Sequence, residues 1–376
     1  MRPALIVPLV DLRAGFEPIR AEVLREFESV LDGMQLMLGP QQRAFEEEFA
    51  RYCGVAHGVA LSSGTDALLA ALLACGVGAG DEVICPSHTF FATVEAIVHT
   101  GAVPVLVDVE ADTLTLDPER VRDAVGPATR AIVPVHLYGH SADMDPILEI
   151  ARQHGLRVIE DAAQAHGARY KGRRCGSLGD VGCFSFYFTK NLGAFGEGGF
   201  AATGDPELAE RMRLLRHHGH TSKFEHQLVG YNLRMDELQA AVLRLKLPHL
   251  DRANTQRREA AERYRRALEG LAITLPSTRA ACENVHHVYP IRVRERDALI
   301  EHLSEHGIGT GIHYKIPAHR QPALRAHPHR HGVLEITDRA CAELVSLPMY
   351  PDLTAEQTAY VAEHVREFLV GGGSPG

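Results

Sequence analysis

The stretch VGCFSFYFTKNLGAFGEGGF, residues 181–200, decides how the chain is read. Its first eight residues are almost wholly apolar and of strand length, the pattern of a strand buried on both faces. Lys190 follows two positions later, and four glycines lie between Gly193 and Gly199. A lysine is almost never fully buried without a partner, because its ammonium group loses hydration. One reading is a side chain snorkelling from a strand end. The other is a desolvated amine with a lowered pKa, free to attack a carbonyl. The run GEGG that follows demands a tight or strained turn.

Upstream, strand-like runs recur: EVICP (82–86), VPVLVDV (103–109), RAIVPVHL (130–137) and LRVIED (156–161). Between them lie the helix-like segments TDALLAALLAC, FFATVEAIVHTG and MDPILEIARQHG. This alternation predicts an α/β fold, a mostly parallel sheet with helices on both faces. Residues 18–55 read as helical, broken at MLGPQQ, and a charged helix runs from Asp236 to Leu268, kinked at Pro248. After it come a strand in HHVYPIRV (286–293), a helix in RDALIEHLSEHG, a second strand in TGIHYK (310–315) and a closing helix in TAEQTAYVAEHVREFLV. The expected division is a large domain over 1–245, including the N-terminal segment, and a smaller C-terminal α+β domain over 246–376.

Composition narrows the function. The chain has 376 residues, 45% of them hydrophobic, and a formal charge of −9. With no basic stripe, nucleic-acid binding is not expected. Seven cysteines, an odd number with no CxxC pair, argue against a disulfide framework or a thiolate zinc site and for a reduced cytoplasm. No apolar run is long enough to span a membrane. The start, MRPALIVPLVDLRAGFEP, lacks the apolar core of a signal peptide, and GGGSPG reads as a frayed end. The histidine-rich RAHPHRHG (325–332) has no acid or cysteine beside it and reads as a solvated loop, so no metal is expected.

Two further motifs carry chemistry. In LSSGTDALLAALLACG (61–76) a strand ends in Ser-Ser-Gly-Thr and a helix begins. Free N–H groups at such a helix start suit a phosphate, and Gly64 permits close backbone approach. Alternatively, Ser63 or Thr65 only caps the helix. In VIEDAAQAHGA (158–168), Glu160 and Asp161 lie at the carboxyl end of a strand, where open α/β sheets bind ligands. Either acid faces a ligand or caps the next segment. A phosphate cradle, a strand-end acid and a lysine, in that order, are the parts list for pyridoxal phosphate.

The blocks SSGTDALLAAL, PSHTFFATVEAI, EDAAQAHGARYKGRRCGSLGDVGCFSFYFTKNLGAFGEGG, GYNLRMDELQAA and GIGTGIHYKIPAHRQPA resemble the DegT/DnrJ/EryC1/StrS family of sugar aminotransferases. The likeness runs from VPLVDL to SLPMYPDLT, nearly the whole chain. It implies the aspartate aminotransferase fold (fold type I) and a homodimer with shared active sites. It implies pyridoxal 5′-phosphate as cofactor, with L-glutamate and a nucleotide-linked keto sugar as substrates. By position, Lys190 matches the lysine that carries the cofactor, and Asp161, not Glu160, the partner of the pyridine nitrogen. Gly64, Thr65 and Ser185 match phosphate ligands, and Asn232 a phosphate contact from the second subunit. Phe90 falls where an aromatic ring stacks on the cofactor, and Gln164 beside the cofactor ring. Gln164, Tyr187 and KNLGA resemble the members that aminate C3 of nucleotide-linked 3-keto-6-deoxysugars, and His313 and Tyr314 match positions near their substrate. Glu197 and Lys315 depart from that subgroup, which usually has Asp and Pro there. The alternatives are a 4-keto sugar or keto-cyclitol aminotransferase, and a non-catalytic regulatory relative that keeps the cofactor site. Dehydratase relatives carry histidine at the Lys190 position.

Overall fold

Eight strands build the large sheet, in a computed structural model that describes residues 5–222 and 224–371; the tail past Gly371 lies outside them. The strands are β1 (His57–Leu61), β2 (Glu82–Pro86), β3 (Val103–Val107), β4 (Thr129–Ile132), β5 (Arg157–Asp161), β6 (Val181–Ser185) and β7 (Gly199–Thr203), while β8 (Tyr289–Arg292) belongs to the small domain and β9 (Arg330–His331) returns to the large sheet. The spatial order is β1-β7-β6-β5-β4-β2-β3-β9. Parallel pairing joins β6 through β9, and only β7 runs antiparallel to both its neighbours.

Helices cover both faces, so successive strand residues feed two separate cores. Val59, Leu61, Ile159 and Val181 face one layer with Leu68 and Leu72 of the helix Gly64–Ala74. Ala60, Val158 and Phe184 face the other, where the helix Pro40–Cys53 brings Phe45 and Phe49 against Phe186 and Phe200. The Phe49 ring lies 4.9 Å from Phe200 and 5.0 Å from Phe184, both edge to face.

A separate two-stranded sheet pairs β8 with β10 (Leu344–Leu347) antiparallel, Tyr289 opposite Leu347. The helices Leu250–Leu268, Arg296–Glu305 and Ala355–Gly371 pack around them over Tyr264, Leu299, Leu303 and Val361. The N-terminal segment reaches across: Val7 is buried in this core and bridges Ile308.

Two strand expectations need correction. TGIHYK is not a strand: Gly311 makes a single bridge to Ser346, and the chain then turns. His313 is held there by its Nδ1 contact with Ser346 Oγ at 2.8 Å and by its carbonyl, which accepts from Tyr138. RAHPHRHG is not wholly a loop, since Arg330 and His331 pair with Val105 and Leu106 at the sheet edge. The helix from Glu237 does break at Leu247–His249, around Pro248, before resuming at Leu250.

Candidate active site

The carboxyl ends of β5 and β6 lie side by side, with Asp161 opposite Cys183. Alternation sends Glu160 and Asp161 to opposite faces. Glu160 is fully buried and accepts four hydrogen bonds, from His136 Nε2 (2.8 Å) and the N–H groups of Gly176 (2.7 Å), Leu178 (2.6 Å) and Gly179 (2.8 Å). Burial opposes its charge, yet these donors, His136 foremost, hold its carboxyl below the usual range. Its acceptor capacity is used up within the fold. Asp161 accepts only from Thr93 Oγ1 (2.7 Å) and Ala163 N–H (3.1 Å) among the described residues. Burial raises its pKa, with Thr93, Ala163 and the Lys190 charge acting the other way.

Lys190 is half-buried on the turn after β6, its N–H bonded to Tyr187 O at 2.8 Å. Burial lowers its amine to about 8, although the Asp161 and Glu197 carboxylates favour the charged form. Three histidines feel its charge. Burial first, and Lys190 second, push His166 to about 3, His313 to about 4 and His287 well below its ordinary value. Lys190 therefore sits among neutral imidazoles, with its nearby negative charge supplied by Asp161 and Glu197.

The start of the helix Gly64–Ala74 shows the capping reading directly and leaves room for the other. Ser63 caps it, its Oγ accepting from Asp66 N–H at 3.1 Å. Gly64 and Thr65 occupy the first turn, where the helical ladder takes no N–H group. Gly64 also faces the end of β6, so closely that a Cβ there would lie 2.6 Å from Ser185 Cβ. Gly199 pairs with both Leu61 and Ser185, and a Cβ on it would strike the Ser63 carbonyl at 1.9 Å. Two N–H groups, a hydroxyl and the helix dipole thus converge where a side chain cannot fit. This donor set suits a phosphate. Together with an under-used carboxylate and an amine whose pKa burial lowers, it fits pyridoxal phosphate.

Gln164 links the site to the small domain. Its Oε1 accepts from Tyr138 N–H at 2.7 Å, and its Nε2 donates to Tyr314 OH at 2.8 Å. The Tyr314 ring lies 5.7 Å from Phe90, which is 59% exposed. Tyr187 is 39% exposed, its ring 4.2 Å from Phe188. Behind Lys190 a cavity of about 290 Å³ is lined by Asn191, Lys246, Arg252, Gln256 and the N-terminal stretch from Val10. Asn232 stands apart from this cluster, exposed on a segment bridged to His217.

Sequence reading missed Thr93, Tyr138, His166 and His287. Thr93 and His166 lie inside quoted motifs, in HTFFATVEAI and EDAAQAHGA, so their signal was present. Tyr138 and His287 enter only through tertiary contact: the Tyr138 hydroxyl lies 2.7 Å from His88 Nε2, and His287 Nδ1 lies 3.1 Å from Asn191 Oδ1.

A sequence profile of the DegT/DnrJ/EryC1/StrS aminotransferase family matches residues 17–366. The dTDP-3-amino-3,4,6-trideoxy-alpha-D-glucose transaminase of Streptomyces venezuelae is 48% identical, with 96% of each chain covered. The UDP-N-acetyl-3-dehydro-alpha-D-glucosamine 3-aminotransferase of Acidithiobacillus ferrooxidans is 46% identical, over 97% of this chain and 98% of that one. In three dimensions the chain matches S. venezuelae DesV, solved with a ketimine intermediate, at a TM-score of 0.94 and 48% identity, over 97% of this chain and 98% of that one. The architecture is that of the fold-type I aminotransferases, as the sequence implied.

Proposed function

The chain belongs to the DegT/DnrJ/EryC1/StrS aminotransferase family, and from that premise we propose that it moves an amino group from L-glutamate to C3 of a nucleotide-linked 3-keto-6-deoxyhexose, dTDP-linked in the simplest case. Pyridoxal 5′-phosphate is the carrier. The observation that carries this reading is the Lys190 amine, lowered by burial to about 8 against the pull of Asp161 and Glu197, on the same sheet edge as a phosphate cradle. When bound, the cofactor supplies a carbonyl that takes an amine and a ring that accepts an electron pair. The Gly64 and Thr65 N–H groups and the Ser185 hydroxyl hold its phosphate. Phe90 and Gln164 orient its ring, and Asp161 keeps a proton on the ring nitrogen. The neutral Lys190 amine takes and returns the proton at the reacting carbon. Tyr187, His313 and Tyr314 line the sugar pocket. Seven unpaired cysteines, six of them buried, suit a cytoplasmic enzyme.

C3 as the aminated carbon draws support from the two relatives, both named for position 3 of a nucleotide-linked sugar. The physical reason for selectivity is reach. With the cofactor fixed at phosphate and ring, moving the ketone by one carbon moves every hydroxyl the pocket must satisfy. A buried polar group left unpaired costs about 1–3 kcal/mol, enough for about a tenfold preference or more. Offered both keto isomers with glutamate, the enzyme is expected to show the higher kcat/KM on the 3-keto sugar. Equal use, or preference for the 4-keto isomer, overturns the assignment of the acceptor. Failure of glutamate alone to convert the bound cofactor overturns the aminotransferase reading itself.

The working unit in this proposal is a homodimer. Leu31, Met34, Leu36 and Met37 are four exposed apolar side chains within seven residues, and the segment bearing Asn232 exposes Val229 (94%) and Tyr231 (37%). Exposed apolar surface of this kind marks an association face. Asn232 of the partner subunit then completes the phosphate site. Mixing Lys190→Ala and Asn232→Ala subunits tests this. In the mixed dimer one site carries both lesions and the other neither, so partial activity returns. Proven mixed dimers without recovery would place Asn232 in its own subunit's site.

A further inference from the structure

We propose that the small domain carries a transition-metal site made by His302, His306 and His364. One ring nitrogen from each lies within 4.8 Å of those of the other two. His302 and His306 are one helical turn apart at the end of the helix Arg296–Glu305, so they share a face. His364 approaches from the helix Ala355–Gly371. The His306 ring centroid lies 4.5 Å from His302 and 4.1 Å from His364. None of the three belongs to the catalytic cluster around Lys190.

One hydrogen bond and one close carboxylate contact bear on two of the rings. His306 Nδ1 lies 2.7 Å from the His302 carbonyl oxygen. That oxygen only accepts, so the proton sits on Nδ1 and the Nε2 lone pair is free. His364 Nδ1 lies 2.7 Å from Glu367 Oε2, off the ideal hydrogen-bond line. A carboxylate behind a histidine is the arrangement that orients metal-bound imidazoles and strengthens their donation. His302 Nε2 is buried and has no hydrogen-bond partner among the described residues, a lapse that buried polar atoms rarely show. A metal ion satisfies all three rings at once.

The donor set selects the ion. Three neutral imidazoles suit Zn²⁺, Ni²⁺ or Cu²⁺ rather than Mg²⁺ or Ca²⁺. Nitrogens bound at about 2.0–2.1 Å in a tetrahedron stand roughly 3.4 Å apart, so binding draws the three nitrogens together and unstacks His306 from His364, whose rings lie 29° from parallel. Three protein ligands leave the fourth position to water. The bound ion clips two helices of the small domain together, a stabilising role. The signal was hidden in sequence, because His364 is far from the HLSEH turn that holds the other two.

Titrating the metal-stripped holoenzyme with Co²⁺, then competing with Zn²⁺, tests the site. One Co²⁺ per chain is expected, with the visible absorption of a tetrahedral nitrogen-ligated ion, lost on adding Zn²⁺. His306→Ala and His364→Ala should each weaken binding by at least about tenfold, and Glu367→Ala by about tenfold. His364→Gln, which keeps most of the side-chain volume, should weaken it likewise, with cofactor absorbance and circular dichroism unchanged. Absence of saturable binding overturns the proposal. So does binding that survives these histidine substitutions, which would send the ion to the histidines at 217–226 or 325–332.

Discussion

Alanine in place of Lys190 is expected to leave a folded protein that turns over on the order of 10⁴-fold more slowly, the upper end for loss of a positioned acid–base group. The side chain has two duties in the proposed chemistry, holding the cofactor and moving a proton, and both end at the same amine. Truncation harms the fold little, because the backbone N–H of residue 190 keeps its bond to Tyr187 O. Reduction with borohydride and peptide mapping give the direct check. The wild-type chain should carry the cofactor on Lys190 and the variant nowhere. A label on another lysine overturns the assignment. The lowered pKa adds a pH dependence with a defined sign. Only the neutral amine attacks a carbonyl, so capture of added pyridoxal 5′-phosphate by the cofactor-free protein should quicken as pH rises through about 8 and level off above it.

Asp161→Asn should retain the cofactor and slow the glutamate half-reaction by about a hundredfold or more, the scale for removing one electrostatic stabiliser. The amide oxygen can still accept from Thr93 or Ala163, so packing is kept. What is lost is a negative charge that holds a proton on the ring nitrogen. Rapid-mixing absorbance with glutamate separates this from weak cofactor binding. A near-normal rate constant in a cofactor-loaded variant would mean that Asp161 serves only the fold.

The sequence resolved the large sheet because its strands are continuous apolar runs set between helical segments, the pattern of strands buried on both faces. It missed β7, whose GFAAT offers small side chains and only one aromatic. That strand is held by backbone pairing on both edges, which composition does not encode. TGIHYK failed the other way. Its β-favouring residues are fixed by contacts to Ser346 and Tyr138, so tertiary bonding overrode local preference. In the site, Lys190 and the Gly64 turn stood out by composition. The choice between Glu160 and Asp161 did not, because it depends on which neighbour is already saturated. Three N–H groups at residues 176–179 consume Glu160, and no spacing in the sequence reveals that.

The reversed strand β7 also bears on how the enzyme is born. Among the described strands, β1 pairs only with β7. Synthesis at about 5–20 residues per second therefore releases β1 long before, and β6 shortly before, the strand that joins them. Until Gly199 slots against Leu61 and Ser185, both strands present unpaired edges, a hazard for aggregation, and the halves of the phosphate cradle remain unconnected. In the proposed function, the phosphate site is therefore complete only after that late closure.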